Sequence, residues 1–238
     1  MKIQKVYVGF DSREPDAYDV CEYSLRESNV DVIKLEHREL RKTGYFSRPW
    51  FLSGNGQWVD MIDGKPFSTE FSHSRFVTPI LARDSGLKGW VLFCDSDFMF
   101  MNNIADLDPY LDETKAVCVV KHRFLVEEGT KMDGMRQENY TRKLWSSLMA
   151  YNLSHPALVE FNIEDVNTKA GIWLHGFNWL LDSEIGEIPP EWNWIPNYSP
   201  SNLTPKAVHF SFGIPSMEGY ENVPYAKLWN KMKDLSRL

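Results

Sequence analysis

The stretch that decides the fold class of this chain is GWVLFCDSDFMF, residues 89–100. Its unbroken apolar run, bounded by a glycine, is typical of a buried strand in a mostly parallel sheet. The run ends on Asp95 and Asp97, which are two positions apart, so their side chains leave an extended backbone on the same face. Ligand sites of open α/β sheets lie outside the carboxyl ends of strands, and paired carboxylates suit a hard divalent cation. The stretch therefore predicts an α/β fold with a candidate metal site.

The same aspartate pair also has a purely structural interpretation. Asp and Ser favour turns, so the pair can simply form the turn that follows the strand. However, residues 98–101 are apolar again. Carboxylates between two apolar runs are costly to bury without a cation or hydrogen-bond partners. The metal interpretation is therefore favoured.

Composition narrows the class of protein. The chain has 238 residues, 43% of them hydrophobic, which suits one α/β domain, and we expect residues 1–238 to form a single domain. Its 26 basic and 33 acidic residues give a net charge of -7, which argues against a general nucleic-acid or anionic-membrane binder. No apolar run is long enough to span a bilayer. Three scattered cysteines without zinc or disulfide spacing, and no secretory signal pattern, favour a cytoplasmic location.

The remaining patterns predict alternating strands and helices. Strands are predicted at residues 5–10, 31–35, 116–120, 144–153 and 206–210, and a proline-stiffened extended segment at 188–194. Helices are predicted at 16–26, with Asp16 as the N-cap, at 68–85, at 164–181 and near the end of 220–238. The βαβ opening implies a right-handed crossover. Neither a GxGxxG nor a Walker A loop is present, which weakens dinucleotide and P-loop interpretations.

Two segments interrupt this alternation. Residues 43–69 are rich in glycine, proline and aromatic side chains and predict a long loop with a small hairpin. Residues 121–137 are polar and contain glycine, which predicts a lid. Long loops in compact domains are usually functional or disordered. We expect residues 45–58 and 121–137 to flank the site and to order around a ligand.

Five segments carry a family resemblance: SRFVTPILA (74–82), VLFCDSDFMF (91–100), WSSLMAYNL (145–153), IPPEWNW (188–194) and KAVHFSFGIP (206–215). In content and order they resemble GT-A glycosyltransferases, most closely family 8, which includes lipopolysaccharide sugar transferases and glycogenin. The resemblance covers nearly the whole chain. It implies the GT-A, Rossmann-like nucleotide-diphospho-sugar transferase fold, with a mostly parallel central sheet flanked by helices.

The resemblance also implies roles for individual positions. Asp95, Asp97 and His209 would bind a metal ion, Mn²⁺ or Mg²⁺. The donor would be a nucleotide sugar, with UDP-sugars favoured, and its expected contacts are Phe10, Asp11, Arg13, Arg75, Asp95, Ser96 and Gly213. The acceptor would be a glycan or another hydroxyl compound. Asp97 of the metal pair is a candidate for catalysis, and His175, Asp182 and Glu184 are further candidates because they lie near the expected acceptor cleft, although the sequence identifies no decisive base. Each has a structural alternative: a solvated helical arginine for Arg75, a buried hydrogen-bonded histidine for His209, and ordinary helix polarity for the acceptor-side residues.

The chain also departs from the family pattern. The lysine and Pro-Trp that usually follow the late glycine are replaced by Ile214, Pro215 and Ser216, and the usual Asn and Gly of the middle strand by Ser146 and Leu148. These departures leave acceptor chemistry and stereochemical outcome open. The leading hypothesis is a metal-dependent, hexosyltransferase-like glycosyltransferase. The alternatives are a nucleotidyltransferase acting on sugar phosphates and a catalytically inactive sugar-binding relative.

Overall fold

A six-stranded sheet forms the centre of the structure, a computed structural model that describes residues 2–122 and 142–238. Its spatial order is β10-β8-β9-β6-β1-β2. The strands in the described part of the chain are β1 (Ile3–Gly9), β2 (Asp31–Leu35), β3 (Trp50–Leu52), β4 (Trp58–Asp60), β5 (Pro66–Phe67), β6 (Trp90–Cys94), β7 (Phe98–Phe100), β8 (Val117–Val119), β9 (Leu148–Asn152), β10 (Ile185–Glu187) and β11 (Ala207–His209).

Parallel pairing predominates in the central sheet. β1 pairs in parallel with both β2 and β6, and β8 pairs in parallel with β10. β9 runs antiparallel to its neighbours β6 and β8. The apolar run that precedes Asp95 is thus a central strand, β6, with every residue buried. This confirms the predicted α/β class and its mostly parallel sheet.

Helices cover both faces of this sheet. They are α1 (Pro15–Leu25), α2 (His37–Lys42), α3 (Thr78–Asp84), α4 (Pro156–Glu160), α5 (Ile163–Thr168), α6 (Gly171–His175) and α7 (Ala226–Ser236). Side chains alternate along β6: Leu92 and Cys94 share a core cluster with Cys21 of α1, whereas Phe93 shares another with Ile80 of α3. Two-sided burial explains why the run is continuously apolar. In the described part of the chain, no helix has both the length and the apolar composition to cross a membrane.

Two predicted helices are shorter than the sequence pattern indicated. The helix predicted at 68–85 begins only at α3, after a 3-10 turn at Ser74–Val77. Pro79 lies in the first turn of α3, where the missing proline N–H removes no helical hydrogen bond. The helix predicted at 164–181 is broken into α5 and α6, and the chain leaves helical geometry after His175. Apolar periodicity continues across such breaks, so it did not reveal them.

Two local predictions were wrong. Asp16 is not the N-cap of α1, because Pro15 already occupies the first helical position and Glu14 precedes it. The Asp16 carboxylate instead forms ion pairs with Lys233 and Arg237 of the C-terminal region. The segment 188–194 is not extended throughout, because Pro190–Asn193 forms a 3-10 turn.

The two interrupting segments have different outcomes. Residues 43–69 contain the three-stranded antiparallel sheet β3-β4-β5, so the hairpin prediction is confirmed and extended by one strand. The predicted lid at 121–137 lies outside the described residues from position 123 onward. A second small sheet pairs β11 antiparallel with β7, and it brings His209 close to the end of β6.

A buried ion pair anchors the small β3-β4-β5 sheet. Arg48 donates from Nε to Asp60 Oδ1 at 2.9 Å and from Nη2 to Asp60 Oδ2 at 2.7 Å. Its Nη1 donates to the carbonyl oxygens of Val166 at 3.0 Å and Lys169 at 2.6 Å. Both members of the pair are almost fully buried, at 0% and 1% exposure. The pair therefore ties this sheet to α5 and to the residue that follows it.

We expect Arg48→Met to lower the free energy of unfolding by about 3–5 kcal/mol, because it leaves the Asp60 carboxylate buried without its partner. The exposed pair formed by Lys42 and Glu39 provides the control. Lys42→Met should cost less than about 1 kcal/mol. Urea denaturation of both variants measures the difference, and equal losses would contradict the anchoring role.

Candidate functional site

Asp95, Asp97 and His209 meet at the carboxyl end of β6. Asp95 and Asp97 belong to the turn between β6 and β7, and His209 ends β11. The antiparallel pairing of β11 with β7 sets His209 opposite Phe98. One potential ligand atom from each of the three residues lies within 4.8 Å of the other two. The three side chains that the resemblance assigned to a metal therefore form one buried group.

Backbone hydrogen bonds fix the positions of the two aspartates. The Asp95 amide donates to the Ser147 carbonyl at 2.9 Å, and the Phe210 amide donates to the Asp97 carbonyl at 2.9 Å. The ring of His209 stacks on Phe98 with 4.3 Å between centroids and 14° between planes. The geometry of the group thus depends on β9, β11 and the turn together, and no single segment can produce it.

Both ring nitrogens of His209 lie close to polar atoms. Nδ1 is 2.8 Å from Asn193 Oδ1, and Nε2 is 3.2 Å from Asp97 Oδ1. His209 is completely buried. The structural alternative for this residue, a buried hydrogen-bonded histidine, describes Nδ1 correctly. The other nitrogen faces the carboxylate pair, which is the arrangement a ligand histidine requires.

The donor set of this group suits a divalent cation. Two carboxylates and one imidazole supply oxygen and nitrogen ligands, and such a set accepts Mn²⁺ or Mg²⁺, with imidazole favouring Mn²⁺. Asp95 and Asp97 are each only 5% exposed, and paired buried carboxylates require compensating positive charge. The residues present therefore fit a divalent metal ion.

Arg75 supplies part of that compensation. Its Nη1 lies 2.7 Å from Asp95 Oδ1 and donates to the Ser146 carbonyl at 2.8 Å, while Nε donates to the Ser72 carbonyl at 3.1 Å. The residue is 6% exposed. The interpretation of Arg75 as a solvated helical arginine is therefore wrong, and its guanidinium group contacts the Asp95 carboxylate.

A second polar network lies at the carboxyl end of β1. Asp11 is 1% exposed and receives hydrogen bonds from Arg13 Nε at 3.0 Å and Nη2 at 2.7 Å. The Arg13 guanidinium also lies 4.3 Å from the Trp58 ring centroid. The Glu70 amide donates to Asp11, and the Glu70 carboxylate accepts from the amide and hydroxyl of Ser12. Asp11 and Arg13 therefore lie together, at the same edge of the sheet as Asp95.

The other expected donor contacts are also placed by the structure. Ser96 is buried between the two aspartates. The ring of Phe10, at the end of β1, has Lys34 Nζ 4.5 Å from its centroid. Gly213 packs so closely on Tyr220 that an added Cβ would lie 2.5 Å from the tyrosine ring. A glycine is therefore required at this position in the loop after β11.

His175 is connected to Asp95 through Ser146 and Arg75. Its Nδ1 is 2.9 Å from Ser146 Oγ, and the Ser146 carbonyl accepts from Arg75, which contacts Asp95. Burial lowers the pKa of His175 well below its usual value, and the nearby Arg75 and Arg48 lower it further. His175 is therefore a neutral imidazole on the Arg75 side of the carboxylate pair.

The structure does not bring Glu184 to this group. Glu184 precedes β10, and strand register places it level with Trp90, at the start of β6. Asp95 is about five residues further along, which corresponds to roughly 16 Å at the usual rise per residue. The Glu184 carboxylate instead accepts from the Leu181 amide. Asp182 lies in the same 3-10 turn and pairs with Arg142.

Sequence reasoning missed several polar residues of the site. Asn193 and Ser147 hydrogen-bond each other beside His209, and Glu70 completes the network around Asp11. His122 follows β8, and its pKa is lowered to about 4, first by burial and then by His209. Asn193 and Ser147 lie in two of the segments that carried the family resemblance, but neither is charged. Their importance depends on contacts that spacing alone does not show.

No protein-family model matches the chain. A relative in sequence is Protein CDI of Arabidopsis thaliana, which is 36% identical over 242 residues covering 98% of this chain and 87% of that protein.

Solved glycosyltransferases share the fold. The galactosyltransferase LgtC, solved with donor and acceptor sugar analogues, matches with a TM-score of 0.55 at 12% identity over 98% of this chain and 96% of that chain. GlyE of Streptococcus pneumoniae gives 0.57 at 15% identity over 98% and 60%. The bifunctional glycosyltransferase WbbM gives 0.56 at 15% identity over 97% and 52%. The chain therefore spans only about half to three-fifths of GlyE and WbbM. These matches confirm the GT-A fold.

The network around Glu70 predicts a pH dependence of stability. Burial alone would raise the pKa of Glu70, but hydrogen bonds from His37 and Ser12 lower it to about 2, from a usual value of 4.5. A depressed carboxyl pKa stabilises the folded state above about pH 4.5, and this contribution is lost as the pH falls toward 2. We expect Glu70→Gln to remove that part of the acid sensitivity.

The measurement is urea denaturation of wild type and Glu70→Gln at several pH values between about 2.5 and 7. The stability difference between the two proteins should be largest at neutral pH and should shrink on acidification. Glu218→Gln, at an exposed glutamate, is the control and should follow wild type throughout. A Glu70→Gln difference that does not change with pH would contradict the assignment.

Proposed function

Because the chain belongs to the family of Protein CDI from Arabidopsis thaliana and has the GT-A fold, we propose that it is a metal-dependent glycosyltransferase. It transfers a sugar from a nucleotide-sugar donor to a hydroxyl group of a glycan or similar acceptor. The family resemblance favours a hexose as the transferred sugar. One observation carries this proposal: the buried group of Asp95, Asp97 and His209 at the carboxyl end of a central strand. In open α/β sheets this is the edge at which ligands bind.

The chemistry explains why such a group is needed. Departure of a nucleoside diphosphate builds negative charge on its phosphate oxygens. A divalent ion held by Asp95, Asp97 and His209 would offset that charge and orient the leaving group. We propose Mn²⁺ or Mg²⁺ in this role. The three side chains would keep the ion at the sheet edge, and Arg75 holds Asp95 in place through their 2.7 Å contact.

For the donor we propose a UDP-sugar, bound between the loop after β1 and the turn after β6. The candidate contacts on the β1 side are Phe10, Asp11 and Arg13, and those on the other side are Ser96 and Gly213. Asp11 and Arg13 are held by each other and by Glu70, so this part of the cleft is preorganised. Preorganisation lowers the entropic cost of binding a ligand.

On the acceptor side we propose His175. Burial lowers the pKa of His175 and keeps its imidazole neutral, and one ring nitrogen is engaged by the Ser72 backbone. Nδ1 lies 2.9 Å from Ser146 Oγ, so the proton of an incoming hydroxyl group would reach Nδ1 through the Ser146 hydroxyl. General bases of this kind contribute about 10²–10⁴-fold to rate. Glu184 is not part of the proposed site, because it lies at the opposite end of the sheet strands.

Other classes of function receive less support. A nucleotidyltransferase would be expected to have a glycine-rich, basic phosphate loop after β1, whereas the loop here holds a buried Asp11 bound to Arg13. A catalytically inactive sugar-binding relative would have no need for the complete group of two aspartates and a histidine. We further propose that residues 1–238 form one domain in a reducing, cytoplasmic environment, which agrees with three buried free cysteines.

We expect Asp97→Asn to abolish metal-dependent donor turnover while the fold survives, because the amide keeps the shape of the side chain but removes its charge. Calorimetry of UDP binding with and without Mn²⁺, together with donor hydrolysis assays, measures the effect. The UDP affinity gained from Mn²⁺ should fall by more than about tenfold, that is about 1.4 kcal/mol. Unchanged Mn²⁺-dependent hydrolysis in a folded Asp97→Asn protein would refute the metal assignment.

We expect His175→Gln to reduce transfer to glycoside acceptors by at least about 100-fold, while Mn²⁺-dependent UDP binding stays at the wild-type level. Glu184→Gln is the matched control, since it alters a candidate that the structure places far from the site, and transfer should remain unchanged. Product formation from a panel of UDP-sugars and simple glycosides measures both. Loss of transfer in Glu184→Gln, with transfer retained in His175→Gln, would reverse the acceptor-side assignment.

A further inference from the structure

Asn193 lies beside His209 and joins it to the backbone through a series of hydrogen bonds. Its Nδ2 lies 2.8 Å from Ser147 Oγ, and its Oδ1 lies 2.8 Å from His209 Nδ1. Ser147 Oγ in turn lies 2.7 Å from the Leu144 carbonyl. Asn193 is 0% exposed and Ser147 is 2% exposed. The three bonds form a buried series from the backbone to the imidazole.

The direction of each bond in this series is determined. A carbonyl oxygen can only accept, so the single hydroxyl proton of Ser147 is donated to Leu144. Ser147 Oγ must then accept from its other partner, which requires the NH₂ group of Asn193 at that position. The oxygen of Asn193 consequently faces His209 and can only accept. His209 Nδ1 therefore carries the imidazole proton.

The tautomer decides what the other nitrogen can do. In a neutral imidazole with its proton on Nδ1, Nε2 has a free lone pair and can bind a metal. That atom faces Asp97 Oδ1 at 3.2 Å, inside the group of potential ligands. The opposite tautomer would direct an N–H at the metal position and prevent coordination. Partners on the second nitrogen of a ligand histidine commonly set its tautomer in this way.

Ser147 also connects Asp95, which follows β6, with His209 of β11. Its carbonyl accepts the Asp95 amide at 2.9 Å, while its hydroxyl holds Asn193. The same residue thus positions the β6 side, through Asp95, and the β11 side, through Asn193 and His209. Asn193 and Ser147 thus act on the group through hydrogen bonds to His209 and Asp95.

We propose that Asn193 is a positioning residue, which fixes the Nδ1-protonated tautomer of His209 and so directs Nε2 toward the divalent cation. This inference rests on the proposed metal group and extends it from three ligands to a hydrogen-bonded series beginning at Leu144. It also gives Asn193 a role that depends on its amide and not on its size.

The first test measures metal binding without any sugar. Mn²⁺ is titrated into the metal-free protein, and unbound Mn²⁺ is followed by electron paramagnetic resonance. Asn193→Leu keeps the volume but removes the acceptor, and should weaken Mn²⁺ binding by about 10–100-fold. Asn193→Asp keeps an acceptor for Nδ1 but loses the N–H donated to Ser147, and it should bind Mn²⁺ more tightly than Asn193→Leu. Equal affinity of wild type and Asn193→Leu would overturn the proposal.

A buried asparagine elsewhere gives the matched control. Asn152 is 2% exposed and donates to the carbonyls of Glu113 and Lys115 at the far end of β9. Asn152→Leu should lower the melting temperature but leave Mn²⁺ affinity unchanged. If both Leu variants weaken Mn²⁺ binding equally, the effect of Asn193 is general destabilisation, and the proposal fails.

Two further readouts separate positioning from a direct or purely structural role. The double variant Asn193→Leu/His209→Ala should bind Mn²⁺ no more weakly than His209→Ala alone, because the proposed effect of Asn193 on the ion passes through His209; additive losses would contradict this. Long-range ¹H–¹⁵N spectra of the metal-free protein should show His209, assigned by its loss in His209→Ala, with its proton on Nδ1. Observation of the Nε2-protonated form would overturn the proposal.

These measurements also separate this proposal from the proposed enzyme activity. If wild type binds Mn²⁺ and Asn193→Leu does not, the series is supported even if no sugar transfer is found. If wild type transfers sugar with Mn²⁺ and Asn193→Leu binds Mn²⁺ equally well, the activity stands and the role of Asn193 fails. Absence of Mn²⁺ binding by wild type would overturn the role of Asn193 together with the metal group.

Discussion

The burial of Asp95 and Asp97 between two apolar strands is the constraint on which the rest of the site depends. Each carboxylate is only 5% exposed, and an uncompensated charge in such a position is strongly unfavourable. The surrounding residues supply compensation from several elements. Arg75 approaches Asp95 from the turn before α3, and His209 approaches Asp97 from β11. The pairing of β11 with β7 is thus tied to the charges of the site.

The sequence predicts those parts of the site that lie next to each other in the chain. β6 is recognisable because both faces of the sheet are covered, which makes the strand continuously apolar, and the aspartates follow at its end. His209 could be assigned only through the family resemblance, because more than a hundred positions separate it from Asp97 and only the sheet pairing joins them. The fold class was predictable for the same reason, since buried strands and amphipathic helices have distinct periods.

Other features could not be read from the pattern because they depend on contacts between distant segments. Glu184 follows an apparently helical stretch with His175, but the chain leaves helical geometry between them and crosses to the start of β10. Asp16 has the residue type of an N-cap, yet its partners are Lys233 and Arg237 near the end of the chain. Asn193 is uncharged, so the sequence pattern did not identify it as a candidate site residue. In each case the position or role of the residue depends on contacts between segments that are far apart in sequence. A periodic pattern describes only one segment at a time and does not show such contacts.

The burial of the nearby histidines affects the charge balance at the sheet edge. Asp95 and Asp97 carry two negative charges and Arg75 one positive charge, so these three groups sum to one negative charge. Burial, and then nearby charged groups, lower the pKa values of His73, His122 and His175, so these imidazoles add no positive charge at neutral pH. A divalent cation held by Asp95, Asp97 and His209 would change the sum to one positive charge. Charged imidazoles beside the group would oppose binding of that cation. Burial keeps these imidazoles neutral, so the negative charge of the carboxylate pair stays available to the cation that we propose.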